Sequence, residues 1–230
     1  MPDTPNRLRA LLVLLLIVPA PTIGVIAGLI VNDGPMGRII WGVSKAWLFG
    51  LPILWHVYVD RERPTWPQFR RDGLAVGASL GIAISIMIIG AYLLIGQNWI
   101  DQAVVSKKAE DLGLNRVVLY VAGCVYWITI NSLLEEYVYR WFIFRQCEVL
   151  LRHGGAAMLV SAACFTLHHV FALNAWFDWK ITLAGSIGVF IGGAVWSWCY
   201  QRYRSIWSPY ISHAIVDIAV FAIGAWMFFG

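Results

Sequence analysis

Apolar stretches of about twenty residues, the length a bilayer crossing requires, recur along the whole 230-residue chain. No other property narrows its fold as much. The hydrocarbon interior offers a backbone no hydrogen-bond partners, so a segment crossing it must satisfy its own polar groups as a helix. Seven segments qualify or nearly qualify, at 11–31, 39–58, 74–95, 117–139, 156–172, 181–199 and 206–229. Composition agrees, with 60% of residues hydrophobic and 13% charged, where a soluble domain is nearer half apolar and a quarter charged. The chain therefore reads as all-α, a polytopic helix bundle of about seven spans forming one membrane domain over residues 1–230.

The N-terminus imitates a signal peptide, with Arg7 and Arg9 ahead of a leucine-rich run. The apolar run continues to Val31, however, and Pro19 and Pro21 flank the small-residue cleavage point at Ala20, so an uncleaved first span is expected. The connection 60–72 carries Arg61, Arg63, Arg70 and Arg71 and reads as an aqueous loop. The connection 96–116, with Asp101, Lys107, Lys108, Glu110 and Asp111, reads as an amphipathic loop. An eighth span hidden there would invert the later half, and its charges oppose that. With the N-terminus cytoplasmic, eleven Lys and Arg residues fall inside and five outside, with Lys45 left within a span. That satisfies the positive-inside rule and suits a multi-pass protein of a prokaryotic plasma membrane. The same asymmetry accounts for the net charge of +4 without a nucleic-acid partner.

The four cysteines are scattered without CxxC spacing and read as small buried hydrophobes. Tryptophans such as Trp41, Trp99, Trp176, Trp179 and Trp207 fall near span ends, as in an interfacial aromatic belt. Gly73, Gly77 and Gly81 form one small-xxx-small run, and Gly188 and Gly192 another; both predict close helix packing.

Three polar clusters interrupt the apolar segments. An acidic residue at a helix centre costs roughly 2.5–3.5 kcal/mol on insertion scales, so such residues are functional candidates by default. The first cluster is Glu135-Glu136 with Arg140, expected at the cytoplasmic end of the fourth span. Four-residue spacing lets Glu136 and Arg140 pair, while Glu135 points ~100° away around the helix. The second is Phe165 with His168-His169, where Phe165 and His169 share a face and His168 turns aside. The third is His213 with Asp217, four apart on one helix face. Each has a structural alternative: an interfacial anchor, a hydrogen-bonded packing histidine, a self-stabilising His-Asp pair.

Taken in order, Glu135-Glu136-xxx-Arg140, Phe165-xxx-His169 and His213-xxx-Asp217 resemble the CAAX-protease and bacteriocin-processing family of Rce-type intramembrane proteases, also called the Abi family. The resemblance covers residues 114–229; the first three spans carry no family signature. It implies a glutamate-dependent endopeptidase acting on a membrane-associated protein or peptide. Glu135 would activate water with help from His169, His213 and Asp217 would serve the oxyanion, and Glu136, Arg140 and Phe165 would support them. A buried carboxylate can act as a base near neutral pH, and amide hydrolysis needs donors aimed at the developing oxyanion. Position 217 is Asp where the family also carries Asn, and an ionised Asp cannot donate to an oxyanion; the expected role is to orient His213. One geometric tension stands out. His169 lies about 20 Å into its helix, whereas Glu135 and His213 are expected near span ends.

No cofactor is expected. A zinc variant would use Glu135, His169 and His213 as ligands, without any HExxH motif. A proton-coupled transporter would show broken helices and inverted repeats, and no repeat is visible; a non-catalytic membrane scaffold is the remaining alternative.

Overall fold

In the computed structural model, residues 4–31, 34–61, 69 and 71–230 are described, and no strand occurs among them. The chain forms eight helical rods: α1 (Asn6–Val31), α2 (Pro35–Tyr58), α3 (Leu74–Trp99), α4 (Gln102–Asp111), α5 (Val117–Leu151), α6 (Gly154–Trp176), α7 (Trp179–Tyr203) and α8 (Trp207–Phe229). Six of these, all but α2 and α4, are long and apolar enough to cross a membrane. The segment 39–58, expected as a span, lies within α2. At 24 residues α2 matches the others in length, but Lys45, Pro52 and His56 lower its apolarity. The connection 96–116 contains α4, whose 10 residues extend about 15 Å, too short to span. Most of the connection 60–72 lies outside the described residues.

Local chemistry sets the helix ends. Asp101, His153 and Asp178 each accept a backbone N–H three residues on, from Val104, Ala156 and Ile181, capping the first turns of α4, α6 and α7. Left-handed residues close α5 at Arg152 (φ 56°) and α7 at Arg204 (φ 49°). Side chains then gather three helices at one end of the bundle. Arg7 of α1 donates to the Leu150 carbonyl at the C-terminus of α5, at 3.0 and 2.6 Å. Arg204, after α7, grips Glu148 of α5 through two bonds of 2.6 and 2.7 Å.

The glycine runs behave differently from one another. A Cβ at Gly77 would strike the Ser208 carbonyl, and one at Gly81 would come within 2.9 Å of the Ser212 carbonyl. α3 and α8 thus pack backbone to backbone, as the first run predicted. The second run does not: Gly188 meets nothing within 4 Å, and Gly192 meets only Trp196 of its own helix. It is Gly193 that faces α6, against Ala162 and Phe165.

The interior combines an apolar core with buried charged side chains, and the exposed faces carry many large apolar ones. Leucine, isoleucine and valine side chains stand exposed along α1, α3, α5, α7 and α8, where lipid would cover them. The largest fully buried side chains include Arg140 and Glu136 beside Tyr139, Phe144 and Phe165. Sequestered charge of this kind needs internal partners, and the site is built from them.

Candidate active site

α5 is 35 residues long, well beyond the expected span 117–139. Glu135 and Glu136 consequently sit inside the helix, not at its cytoplasmic end. Arg140, which the sequence reading placed among the inside basic residues, is fully buried. This also removes the depth conflict. α5 and α6 are joined by a tight turn, and Glu135 and His169 lie nearly equal numbers of residues from it, so the two antiparallel helices bring them level.

The backbone around the glutamates is unusual. The α-helical turn Ser132–Glu136 lies between two π-helical stretches, Tyr126–Asn131 and Tyr137–Phe144. Widened turns of this kind are rare and occur often at functional sites, because they redirect side chains around the helix. Here they turn Asn131, Ser132, Glu135, Glu136, Tyr139 and Arg140 inward together, and all six are buried.

Glu136 is the hub. Its Oε2 lies 3.2 Å from Arg140 Nε, with both side chains fully buried. Its Oε1 accepts a hydrogen bond from His213 Nδ1 at 2.9 Å. The guanidinium of Arg140 also lies over Phe165 and Trp196, 4.9 and 5.5 Å from their ring centroids, so two aromatic faces share its charge. His213 stacks on Trp196 with centroids 4.0 Å apart and planes 18° apart. Trp196 is itself anchored through Nε1–H to Ser212 Oγ at 3.0 Å. The imidazole of His213 is therefore fixed by its ring face and by Nδ1.

That arrangement corrects the expected role of Asp217. The group orienting His213 is Glu136, on Nδ1. Nε2 points between Glu135 Oε2 at 3.8 Å and Asp217 Oδ1 at 3.7 Å, both beyond direct hydrogen-bond range. Asp217 is held from elsewhere: its Oδ2 accepts the Ser132 hydroxyl at 2.5 Å.

α6 supplies the opposite wall. His169 Nδ1 donates to the Phe165 carbonyl at 3.0 Å, which leaves Nε2 as the acceptor in the neutral ring. The rings of Phe165 and His169 lie 4.5 Å apart. His168, expected to turn aside, instead lies against His169 with centroids 4.0 Å apart and planes tilted by 47°, and reaches Tyr139 Oη through Nδ1 at 3.1 Å. Ligand atoms of Glu135, His168 and His169 all lie within 4.8 Å of one another, a set that could hold a cation. The zinc set expected from the sequence contained His213 in place of His168; His213 is instead committed to Glu136.

Four polar residues escaped the sequence reading: Lys45, Asn131, Ser132 and Tyr139. Asn131 precedes Glu135 by four residues and Ser132 precedes Glu136 by the same spacing, a same-face signal that could have found both. Lys45 was visible as a cation within a span.

The geometry can support proton transfer and oxyanion stabilisation among buried side chains. Carboxylates from α5 and α8 face an imidazole held by a third, and a second imidazole stands beside the free carboxylate. Among known proteins, the family model for the Rce1-like type II CAAX prenyl endopeptidases matches residues 117–219. No curated protein and no solved structure matches the chain. The matched segment opens with the first residue of α5 and closes just past Asp217, and over those residues the chain is similar to the Rce1-like family.

Proposed function

We propose that this protein is an intramembrane endopeptidase that hydrolyses a peptide bond of a membrane-associated protein or peptide with water activated by Glu135. The match of residues 117–219 to the Rce1-like family model supports a membrane protease. The observation that carries the finer reading is the convergence of three separate helices: Glu135 from α5, His169 from α6, and His213 with Asp217 from α8 surround one buried space.

In this reading a water molecule sits between Glu135 and His169. Glu135 removes its proton as the oxygen attacks the scissile carbonyl carbon. The carbonyl π electrons move to oxygen, and His213 Nε2–H donates to the resulting oxyanion. Collapse of the tetrahedral intermediate breaks the C–N bond, and the proton held by Glu135 passes to the leaving amine. Glu136 keeps His213 in place through Nδ1, and Arg140 balances the charge of Glu136. As an imidazolium, His213 offers donors on both nitrogens, which matches carboxylates on both sides. Asp217 lies beside the donor, tied to Ser132, and contributes charge balance in place of a hydrogen bond to the oxyanion.

The test compares protein termini in membranes of cells carrying wild-type protein or Glu135→Gln. New termini in membrane proteins or peptides that depend on Glu135 support the reading. Identical termini in the two membranes overturn it.

A further inference from the structure

Lys45 stands outside the family-matched segment, on α2, yet its ammonium reaches the centre of the site. Nζ donates to Asn131 Oδ1 at 2.7 Å. It also lies over three aromatic rings, 5.7 Å from Trp41, 5.3 Å from Phe49 and 5.0 Å from Trp127. An ammonium at such depth is expensive unless it is answered by partners, and three ring faces with one amide oxygen answer it well.

The amide of Asn131 has two ends. Its oxygen is taken by Lys45, and Asn131 precedes Glu135 by four residues on α5 with both side chains buried, so its amide N–H end is on the same side as the carboxylate. Counting charge explains why such a cation is needed. Three carboxylates, Glu135, Glu136 and Asp217, share the interior with Arg140, and Arg140 is engaged by Glu136. The other groups around Glu135 are His168 and His169 from α6 and His213 from α8. α2 supplies the remaining full positive charge.

We propose that Lys45 is a positioning residue for Glu135, acting through Asn131, so that α2 completes an active site otherwise built from α5, α6 and α8. The aromatic box fixes the ammonium, the ammonium fixes the Asn131 amide, and the amide aims the carboxylate at the attacking water. This inference rests on the role proposed for Glu135.

The experiment uses the full-length protein in phospholipid vesicles with a quenched fluorogenic peptide spanning a junction that the wild-type protein cleaves. Lys45→Met lowers kcat on the order of 10²-fold, the scale of a misaimed reacting group, with KM unchanged. Asn131→Leu does the same with the lysine still present. The double variant is little worse than either single, as expected of groups acting as one unit. Lys45→Arg, which keeps the charge, restores most of the turnover. A raised KM with intact kcat in Lys45→Met would assign Lys45 to substrate binding and overturn the proposal. Additive losses in the double variant, or full turnover in Asn131→Leu, would overturn it as well. The two readings fail separately: an active Glu135→Gln removes the catalytic base, whereas an inactive Glu135→Gln beside a fully active Lys45→Met removes only the role of Lys45.

Discussion

Replacing Arg140 by leucine perturbs one contact whose consequences the structure allows to be worked out. Arg140 and Glu136 are both fully buried, and Nε lies 3.2 Å from Oε2. The substitution leaves Glu136 at zero exposure with His213 as its remaining polar partner at 2.9 Å. Breaking a buried pair by removing one member costs about 3–5 kcal/mol, a large part of the ~5–15 kcal/mol that separates folded from unfolded protein. At roughly 2–4 °C per kcal/mol for a chain of this size, the melting temperature in detergent falls by on the order of 6–20 °C. Removing the second charge reverses much of this. In Glu136→Gln/Arg140→Leu no full charge remains from the pair, and replacing both members of a buried pair is often neutral or stabilising. The glutamine amide oxygen can still accept from His213 Nδ1. The double variant therefore recovers most of the lost melting temperature, while turnover stays low because His213 has lost its anionic partner. Thermal denaturation followed by size-exclusion chromatography reads both variants. An Arg140→Leu protein that melts with the wild type, or a double variant less stable than the single, would refute the reasoning.

Other substitutions test separate contacts. Asp217→Asn keeps an oxygen for the Ser132 hydroxyl and retains substantial activity, whereas His213→Ala loses ~10²–10³-fold in turnover; an Asp217→Asn as inactive as His213→Ala would put the carboxylate itself in the reaction. Gly77→Leu forces α3 away from the Ser208 carbonyl and lowers folded yield; unchanged yield and melting would place the α3–α8 contact elsewhere. Arg204→Ala breaks a half-exposed pair with Glu148 and costs no more than about 1 kcal/mol; a larger drop in melting temperature would show that the bridge anchors the bundle. A cysteine introduced in the connection 60–72 tests whether α2 crosses: with a cytoplasmic N-terminus, a crossing α2 makes it react with an impermeant reagent only in inverted vesicles, whereas labelling from the outer side shows that α2 does not cross or that the N-terminus is outside.

The helical class, the approximate helix positions and the motif residues were readable because length and apolarity dominate folding in a bilayer. The pairing of Glu136 with Arg140 followed from four-residue spacing alone. What escaped depended on context. The length of α5 was hidden because Arg140 and Arg145 resemble a cytoplasmic flank, and nothing in a linear sequence shows that Arg140 is enclosed by Phe165 and Trp196. The widened turns around Ser132–Glu136 carry no recognised signature; only the four-residue spacing of Asn131 from Glu135 and of Ser132 from Glu136 hinted at shared faces. Residues four apart on one helix suggested the pair of His213 with Asp217, 3.7 Å apart, but spacing could not show the closer tertiary contact from Glu136 to Nδ1. Gly188 and Gly192 show the same limit: spacing permits a close interface, and only a neighbouring helix at that face makes one.

The central claim is that Glu135 activates the water that cleaves the peptide bond. The most direct measurement is single-turnover cleavage by purified wild-type protein and Glu135→Gln in phospholipid vesicles, with folding of both verified by melting. The account predicts equal folding and a rate lower by ~10²–10⁴-fold, the range supplied by a positioned general base. A folded Glu135→Gln protein that cleaves at the wild-type rate would contradict it.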